Sequence, residues 1–406
     1  MPKVTVLYHF MRPDDVVSAR LFTDLAEGLA ARGWEVEARP CDRPWTGEGP
    51  ALPHREEADG VSYHRVHRPA LRQASPLGRL ANSAWMIGAW SALGLGGPPP
   101  DAVVIGTDPM LAILAAPAIR RLAPRTKIAH WCFDLYPEAA IAEGMLKKGS
   151  APVRILEALL RPAYDACDLV ADLGPCMREL LHGYGHHARE TTLTPWALVE
   201  PRAPVRPDPA VRSSLFGPAR LGLLYAGTFG RAHSHEELLA LARCLRHDDV
   251  AFCFGVRGNR EAALRAAVGS EDTNVRFAGF APEAELEARL GAADVTLCSL
   301  RRDFTGTVVP SKFFGSLAIG RPVVFAGSRH SSVARFIDEH QVGWVLDDAP
   351  SIEKVAGELR RLAERPEELV TLQAHCHAVY QRAFARETVI GRWDDELRRL
   401  ISSKRP

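Results

Sequence analysis

The sequence predicts an α/β protein built from two successive doubly wound units. Short apolar runs alternate with segments of helical periodicity, which indicates βα units and mainly parallel sheets. The alternation stops at Glu200–Asp208, where prolines stand among few apolar residues, and then begins again. The 406 residues also exceed one ordinary domain, since single cores stop growing at roughly 250–300 residues. These observations predict domains at 1–200 and 209–387, followed by a closing helix at 388–406.

The first half is predicted to hold seven strands and five helices. The strands are Val4–His9, Glu35–Arg39, Val61–Val66, Ala102–Gly106, Lys127–Phe133, Leu169–Ala171 and Thr191–Thr194. The helices are Val17–Arg32, Leu77–Leu93, Met110–Leu122, Val153–Ala166 and Pro175–Tyr184. In a doubly wound sheet, ligands bind beyond the carboxyl ends of the strands, so the loops that follow the strands are the candidates for function.

The second half repeats the pattern. Its predicted strands are Gly222–Ala226, Val250–Gly255, Val275–Ala278, Val295–Ser299, Pro322–Phe325 and Val342–Leu346. Its predicted helices are Glu236–Arg246, Arg260–Val268, Glu283–Gly291, Ser331–Glu339, Ile352–Glu364, Glu367–Glu387 and Ile390–Leu400. Two units with a cleft between them are the simplest arrangement of this pattern.

Composition limits the function. Apolar residues make up 47% of the chain and the formal net charge is +1, so nothing favours a general nucleic-acid binder. The eight cysteines are scattered without a Cys-x-x-Cys pair, which predicts reduced core thiols. No signal peptide or transmembrane helix is predicted, because the N-terminus enters a strand directly and no apolar run approaches ~18 residues. A cytoplasmic protein is expected.

The segment from Pro310 to Val324 is the most informative stretch. It predicts a loop, a short helix that opens at Ser311, a stop at Gly320 and a buried strand. A helix start offers unpaired backbone N–H groups and the positive end of the helix dipole, and Lys312 lies one residue in. Pro310, Ser311 and Lys312 therefore predict a phosphate or diphosphate site.

A second phosphate candidate follows the first strand of the second half. Gly227 and Gly230 permit close backbone approach, and Arg231 adds a planar cation. Taken alone, an ordinary βα turn explains this segment equally well. Lys312, which comes from a different turn, favours a binding site, because two cations can neutralise a leaving diphosphate without a metal.

Two further loops of the second half are candidates for a nucleobase. One contains Gly258, and the other contains Phe280 and Ala281. Each follows a predicted strand, and each is also compatible with a plain βα turn.

Acidic residues are the candidates in the first half. Asp134 and Glu138 follow a strand, and a carboxylate there can orient or deprotonate an acceptor hydroxyl. Asp14 and Asp15 follow the first strand and are candidates for binding acceptor hydroxyls. The alternative for all four is helix capping. His130, inside a strand, is predicted to be buried and hydrogen bonded.

A basic window lies between Asp59 and Asp101, where no acidic residue occurs. Arg65, Arg68, Arg72 and Arg79 precede or enter a helix that carries Trp85 and Trp90. This pattern predicts peripheral contact of 61–93 with an anionic membrane or with a lipid-diphosphate acceptor. A core helix with a solvated basic loop is the alternative.

These segments together resemble the family 4 glycosyltransferases of the GT-B fold, and most closely the bacterial branch that builds O-antigen, capsule and exopolysaccharide. The resemblance spans nearly the whole chain. The matching pieces are Leu29–Val36, Asp134–Glu138, Tyr225–Arg231, Asn274–Gly279, Ala293–Val295 and Pro310–Val324.

The resemblance implies two Rossmann-like domains that face a central cleft, with a last helix that crosses back to the first domain. It implies a retaining transfer of a sugar from a nucleotide sugar, by default a uridine one, with no metal or other cofactor. The acceptor would be a glycan, a lipid-diphosphate-linked glycan or a small molecule, bound by the first domain. Arg231 and Lys312 would hold the donor diphosphate, the loops at Gly258 and Phe280–Ala281 the base, and Asp134 would lie near the reacting sugar.

The chain departs from the family pattern at three positions. Many members carry two glutamates eight residues apart where this chain has Thr307 and Gly315. Gly315 cannot make the donor contact that the second glutamate usually makes. A lysine often found after the glycine-rich turn is Glu236 here. These departures leave two alternatives open: a nucleotide-sugar epimerase or hydrolase on the same fold, and a non-catalytic glycan-binding subunit.

Overall fold

A computed structural model describes residues 1–47, 49–71, 75–92 and 98–403. The chain divides into two compact units, and a return of the chain end makes the first unit discontinuous. Unit 1 comprises Met1–Thr194 together with Val389–Pro406, and unit 2 comprises Pro195–Thr388. Each unit contains one sheet with helices on both sides, and the doubly wound α/β architecture predicted from the sequence is confirmed.

Unit 1 is built on an eight-stranded sheet in the order β3-β4-β2-β1-β5-β6-β7-β8. The strands are β1 Lys3–Leu7, β2 Glu35–Ala38, β3 Arg55–Ala58, β4 Val61–His64, β5 Ala102–Ile105, β6 Lys127–Trp131, β7 Leu169–Asp172 and β8 Arg189–Thr192. The helices are α1 Val17–Ala31, α2 Pro76–Ser91, α3 Ala116–Leu122, α4 Glu138–Ala142, α5 Ala151–Asp165 and α6 Pro175–Leu181. Two 3₁₀ turns, Ala112–Ala115 and His182–Tyr184, complete the set.

Unit 2 is built on a six-stranded sheet in the order β11-β10-β9-β12-β13-β14. The strands are β9 Leu221–Thr228, β10 Val250–Arg257, β11 Val275–Ala278, β12 Val295–Ser299, β13 Val323–Ala326 and β14 Gly343–Leu346. The helices are α7 Pro209–Phe216, α8 Glu236–Cys244, α9 Glu261–Ala267, α10 Glu283–Ala292, α11 Lys312–Ile319, α12 Ser332–His340, α13 Ala349–Glu364 and α14 Pro366–Ala383, with a 3₁₀ turn at Arg302–Phe304.

The last helix, α15 at Arg386–Ser402, ends the chain within unit 1, as the resemblance implied. Its Trp393 ring lies edge-on to Trp131 at 5.2 Å, and both are buried. Asp394 accepts a hydrogen bond of 2.6 Å from the Trp34 indole N–H. A charged-looking C-terminal segment is therefore fixed to unit 1 by buried aromatic contacts.

Both sheets reverse their strand order at one point, and that point positions the candidate sites. In unit 1 the reversal lies between β1 and β5, and in unit 2 between β9 and β12. Apart from the antiparallel edge strand β3, the paired strands are parallel. Helices leave the two central strands toward opposite faces, so the loops after these strands part and open a crevice beyond their carboxyl ends.

Several element boundaries differ from the predicted ones. The hairpin strand β3 was not predicted, because an edge strand reading Arg-Glu-Glu-Ala has no apolar run. Its turn residues Asp59 and Gly60 both have positive φ, the signature of an Asp-Gly hairpin turn. Helix α7, which begins directly after the proline-rich linker, was not predicted, and the predicted helix Glu367–Glu387 ends at Ala383.

Only part of the basic window at 61–93 is exposed on the protein surface. Arg65 and Arg68 are buried, at 0% and 1% exposure. Arg65 donates to the carbonyl oxygens of Pro53 and Arg12 and pairs with Glu56 at 2.7 Å. Arg65 thus joins two loops, and because both arginine side chains are buried, the prediction that they contact a membrane is wrong. Arg72 lies outside the described residues.

Arg321, which belongs to the family-like segment, is a structural residue. Its guanidinium is fully buried in unit 2 and donates to the carbonyl oxygens of Ala293, Val205 and Gly291. Burial lowers its pKa to about 10. The carbonyl oxygens of Ile319 and Gly320 also accept from it, so carbonyl groups from three separate segments satisfy this fork, which joins the linker to the sheet.

Replacing Arg321 with lysine should lower the free energy of unfolding by about 3 kcal/mol, because an ammonium has fewer N–H groups than the five carbonyl oxygens that accept here, and those left unpaired stay buried. Chemical denaturation of the full chain measures this. Arg361→Lys is the matched control, since Arg361 makes only exposed ion pairs. Equal stability of the two variants would contradict the structural role of Arg321.

Candidate functional site

The centre of the candidate site is the end of β9, at the reversal point of the second sheet. β9 extends through Gly227 and Thr228, two residues beyond its predicted end. The segment carrying Arg231 leaves this strand, and α11 with Lys312 follows the loop after the neighbouring strand β12. The strand order therefore brings together two segments that lie about 80 residues apart in sequence.

Lys312 is the cation at this point. Its ammonium donates to the carbonyl oxygen of Thr228 at 2.9 Å and lies 5.5 Å from the centre of the Tyr225 ring. Burial lowers the pKa of Lys312. In the described part of the chain no carboxylate pairs with it, so the positive charge is held by a carbonyl dipole and a ring face. Such a charge is available to an anion that enters from solvent.

Arg231 is exposed and lies three residues after Thr228, in the loop that leaves β9. Arg301 holds this loop in place. Its guanidinium donates to the carbonyl oxygen of Arg231 at 3.3 Å, and its backbone N–H donates to the carbonyl oxygen of Ala232 at 2.7 Å. Arg260 donates to the carbonyl of His233 in the same loop at 2.8 Å. The structure thus places Arg231 and Lys312 on segments that meet at the end of β9, and it surrounds them with two arginines that the sequence did not single out.

Two glycines make this close packing possible. Gly227 has φ of +111°, and a β-carbon there would lie 3.1 Å from Cε of Lys312. Gly258 has φ of +139°, and a β-carbon there would lie 2.6 Å from the Phe229 carbonyl oxygen. The first lets Lys312 lie across the strand end, and the second lets the loops after β9 and β10 pack backbone against backbone.

His233 is a site residue to which the sequence assigned no role. Burial and the nearby Lys312 charge lower its pKa to about 4, so the imidazole is neutral. Its Nδ1 lies 2.8 Å from the carbonyl oxygen of Ser299 and must carry the proton, because a carbonyl only accepts. Nε2 is therefore an acceptor beside the cations. The only sequence signal was its position after a glycine-rich turn.

The start of α11 offers fewer N–H groups than its sequence predicted. The N–H groups of Phe313 and Phe314 donate to the carbonyl oxygens of Pro310 and Ser311, at 3.2 and 3.1 Å. The amides of Ser311 and Lys312 remain without a backbone acceptor in the described structure. Ser311 is exposed and its hydroxyl caps no amide, whereas Pro310 is buried. Helix start and ammonium still present positive charge at one place.

The two loops predicted to bind the nucleobase follow β10 and β11, the two strands on one side of β9. Gly258 follows β10, and Phe280 and Ala281 follow β11. The guanidinium of Arg257 covers one face of the Phe280 ring at 3.8 Å. A base that stacks on Phe280 therefore has to use the other face or displace Arg257.

The three departures from the family pattern have physical consequences here. Thr307 is buried and its hydroxyl donates to the carbonyl oxygen of Phe304, so its side chain offers nothing to a ligand. A β-carbon at Gly315 would meet nothing within 4 Å, so this position is open space. Glu236 accepts from the His235 N–H at 2.8 Å and lies 3.7 Å from Arg260.

The reversal point of the first sheet carries acids and a histidine. His9 follows β1, and its Nδ1 lies 3.6 Å from the Asp108 carboxylate that follows β5. Burial opposes the charge of His9, but the contacts with Asp108 and Cys41 outweigh it and raise its pKa to about 9. Its Nε2 is buried with no partner in the described part of the chain. The sequence analysis missed both residues, although Asp108 directly follows an apolar strand.

Asp134 lies at the same edge of this sheet, after β6. The residue keeps an exposed surface, yet the protein packed around its carboxyl group, and then the charge of Asp108, raise its pKa to about 6. It caps no helix, because α4 begins at Glu138 after Pro137. An acid that is poised near neutrality can act as a base or orient a hydroxyl.

The carboxylates of the other residues predicted to bind an acceptor differ in how accessible they are to a ligand. The Asp14 carboxylate accepts from the Trp45 N–H at 2.8 Å, and burial raises its pKa. Asp15 is exposed, and neither residue caps α1. Glu138 accepts from the Tyr184 hydroxyl at 2.7 Å, and its second oxygen is buried. Both oxygens of Glu138 thus face the protein, which removes it from the acceptor set.

His130 is buried as predicted, with Nδ1 2.9 Å from the Ile105 carbonyl oxygen. Burial lowers its pKa to about 4, so it is a neutral core residue.

A cationic cavity of about 350 Å³ lies at the ends of β2 and β4. Three arginines and three histidines line it: Arg39, His54, Arg55, His64, Arg65 and His67. Glu37, Glu56 and Asp42 pair with lining residues from outside the cavity. Arg39 and Arg65 are paired in this way, whereas no carboxylate pairs with Arg55 in the described part of the chain.

Fold and site together define a class: a two-unit Rossmann-like protein with cations at one reversal point and carboxylates at the other. The family described as "Glycosyl transferase 4-like domain" matches residues 18–197, and the family "Glycosyl transferases group 1" matches residues 220–365. The chain therefore belongs to the family 4 glycosyltransferases, and the resemblance seen in the sequence is confirmed.

One curated relative is a probable glycosyltransferase, WbjE of Pseudomonas aeruginosa, 28% identical over 247 residues. The match covers 60% of this chain and 62% of that protein. Similar structures include sucrose-phosphate synthase from Thermosynechococcus elongatus, with a TM-score of 0.69 and 15% identity over 100% of both chains. WaaG, a glycosyltransferase involved in lipopolysaccharide biosynthesis, has a TM-score of 0.61 and 17% identity over 97% of this chain and 99% of its own. The Anabaena protein HepE in complex with UDP-glucose has a TM-score of 0.59 and 14% identity over 98% and 100%.

Replacing Gly227 with alanine should weaken binding of inorganic pyrophosphate by about tenfold, since the new methyl group and the strained φ displace the Lys312 ammonium. Isothermal titration calorimetry measures the effect. Gly357→Ala in α13 is the control, because a β-carbon there meets nothing within 4 Å and the residue lies outside the candidate site. Equal affinities of the two variants would contradict the role given to the strand end.

Proposed function

We propose that this protein transfers a sugar from a nucleotide-diphosphate sugar to an acceptor hydroxyl, with retention of configuration. The observation that carries the proposal is the Lys312 ammonium at the end of β9 with no carboxylate partner in the described chain. As the bond from the sugar to the diphosphate breaks, negative charge grows on the diphosphate. Arg231, Lys312 and the start of α11 would stabilise that charge without a metal.

The donor base is proposed to lie against the loops at Gly258 and Phe280–Ala281, beyond β10 and β11. The complex of HepE with UDP-glucose, a protein of the same fold, supports a uridine donor as the first choice. Gly315 leaves open space where many relatives place a glutamate, so donor hydroxyls near α11 are proposed to be bound by His233 Nε2 or through water.

The acceptor is proposed to bind unit 1, near the carboxyl ends of β1, β5 and β6. Asp134 would orient or deprotonate its hydroxyl, and Asp15 and Asp14 would bind further hydroxyls. The cavity in which Arg55 has no carboxylate partner in the described chain favours a phosphate-bearing acceptor, such as a glycan linked to a lipid through diphosphate, over a neutral small molecule.

A donor panel is the direct test. Purified protein would be incubated with several nucleotide sugars and a membrane extract as acceptor source, and products would be identified by mass. A glycosylated lipid is expected. Free sugar without a glycosylated product would favour a hydrolase or epimerase, and binding of no nucleoside diphosphate would favour a non-catalytic subunit. Retention would be read from the anomeric configuration of the product by NMR.

Arg231→Ala and Lys312→Ala should each lower turnover by about 10²–10³-fold, because each removes one charge contact that strengthens in the transition state. Steady-state kinetics with the identified donor measures this, with circular dichroism to show that the fold is intact. Arg246→Ala is the control, since Arg246 pairs with the exposed Glu271. Near-normal turnover of both site variants would remove the assignment.

The rate should rise with pH through about 6, because Asp134 accepts a proton or hydrogen bond only when ionised and its pKa is raised to that value. A profile of kcat/KM between about pH 5 and 8 measures it. Asp108→Asn should lower the midpoint, since the Asp108 charge is one cause of the raised pKa. Asp134→Asn should abolish this limb, and its persistence would exclude Asp134 as the titrating group.

A further inference from the structure

Helices α2, α3 and α5 form one layer against the sheet of unit 1. Both α2 and α5 pack against the 3₁₀ turn Ala112–Ala115 and against α3, which lie between them in this layer. The inward side of α2 buries Met86 and Trp90. The inward side of α5 buries Leu160 and Tyr164. These contacts satisfy the inner sides of both helices and leave their outer sides to solvent.

The outer sides are apolar where a solvated helix would be polar. On α2, Leu77 is 80% exposed, Leu80 55% and Trp85 51%. On α5, Ile155 is 61% exposed and Leu159 51%, one helical turn apart. We call these five side chains the apolar face. By contrast, Val370 is the one large apolar side chain exposed in the described part of unit 2. Scattered exposed leucines are common, but a group on two helices of the same layer marks an interaction surface.

Basic residues surround the apolar face. Lys147 and Lys148 precede α5, and Arg154 and Arg161 lie two turns apart on it. All four are exposed, and none pairs with a carboxylate in the described chain. Other charged groups on these helices are Arg79 on α2 and, on α5, the half-buried Glu157 and the exposed Asp165. The face is thus apolar at its centre and positively charged at its margin.

This combination selects one occupant. A second copy of the chain would bring Arg154, Arg161 and the two lysines against their like charges. An anionic bilayer instead takes the apolar side chains into its interface and pairs the cations with lipid phosphates, and a tryptophan favours that depth. No helix in the described residues is long and apolar enough to cross a membrane.

We propose that the apolar face of α2 and α5 binds the surface of an anionic lipid bilayer, with Lys147, Lys148, Arg154 and Arg161 contacting the headgroups. This surface overlaps the one predicted at 61–93 along α2, but the buried Arg65 and Arg68 take no part in it, and α5 adds Ile155, Leu159 and the cations. Binding by this face requires no donor and no transfer chemistry, so it stands or falls independently of the proposed function.

Vesicle flotation of the full chain tests the proposal. Vesicles of phosphatidylcholine alone are compared with vesicles that also contain phosphatidylglycerol, at low and high salt and without any nucleotide sugar. The protein should float with the anionic vesicles at low salt and much less at high salt, because salt screens the phosphate contacts. Failure to bind anionic vesicles at low salt would overturn the proposal.

Two double variants separate the apolar and electrostatic contributions. Ile155→Ser with Leu159→Ser, and Arg154→Glu with Arg161→Glu, should each lower vesicle binding by about tenfold or more. Helix α14 supplies matched controls on unit 2, Val370→Ser and Arg382→Glu, which should bind like the unmodified protein. Thermal melting shows whether each variant is folded.

Light scattering after size-exclusion chromatography excludes the alternative occupant. A monomer whose state is unchanged in Ile155→Ser with Leu159→Ser supports the proposal. A dimer that this variant dissociates would show that the face joins two copies and would overturn it. Equal loss of vesicle binding in the α14 controls would likewise overturn it, because the attraction would then not belong to this surface.

Discussion

The site in unit 2 depends on an ammonium group held at the end of a central strand without a counter-ion in the described structure. A buried charge costs free energy unless it is paired, and a carbonyl at 2.9 Å with a ring face at 5.5 Å compensates Lys312 only in part. The surroundings are consistent with that constraint. Gly227 gives the side chain its space, and His233 stays neutral beside it. An entering diphosphate would supply the missing negative charge.

Within the segment from Pro310 to Val324, two basic residues have different roles. Lys312 begins α11, and no carboxylate in the described chain neutralises its charge. Arg321 follows the end of the same helix, and its guanidinium points inward and donates to carbonyl oxygens. The difference lies in the partners. Carbonyls from three segments satisfy Arg321 completely, so it fixes the linker and the sheet edge. The segment from Pro310 to Val324 therefore contains both the proposed phosphate site and a structural support.

The two reversal points differ in charge, and that difference suits a transfer reaction. The loops of unit 2 gather Arg231, Arg260 and Lys312 around β9, which suits a leaving diphosphate. The loops of unit 1 gather Asp108 and Asp134 after β5 and β6, which suits an acceptor hydroxyl that loses a proton. The fold supplies the same crevice twice, and the side chains at its edge give each crevice its chemistry.

The sequence by itself determined the architecture and the main charged residues, because strand and helix periodicities, the proline-rich break and the glycine-rich turns are local signals. It also determined that Lys312 and Arg231 follow different strands. Tertiary structure decided the rest. It turned Arg65, Arg68 and Glu138 toward the protein interior, and it brought His9 to Asp108 and His233 to Lys312. Burial, pairing and the resulting pKa shifts arise from contacts between segments far apart in the chain, which no local pattern records.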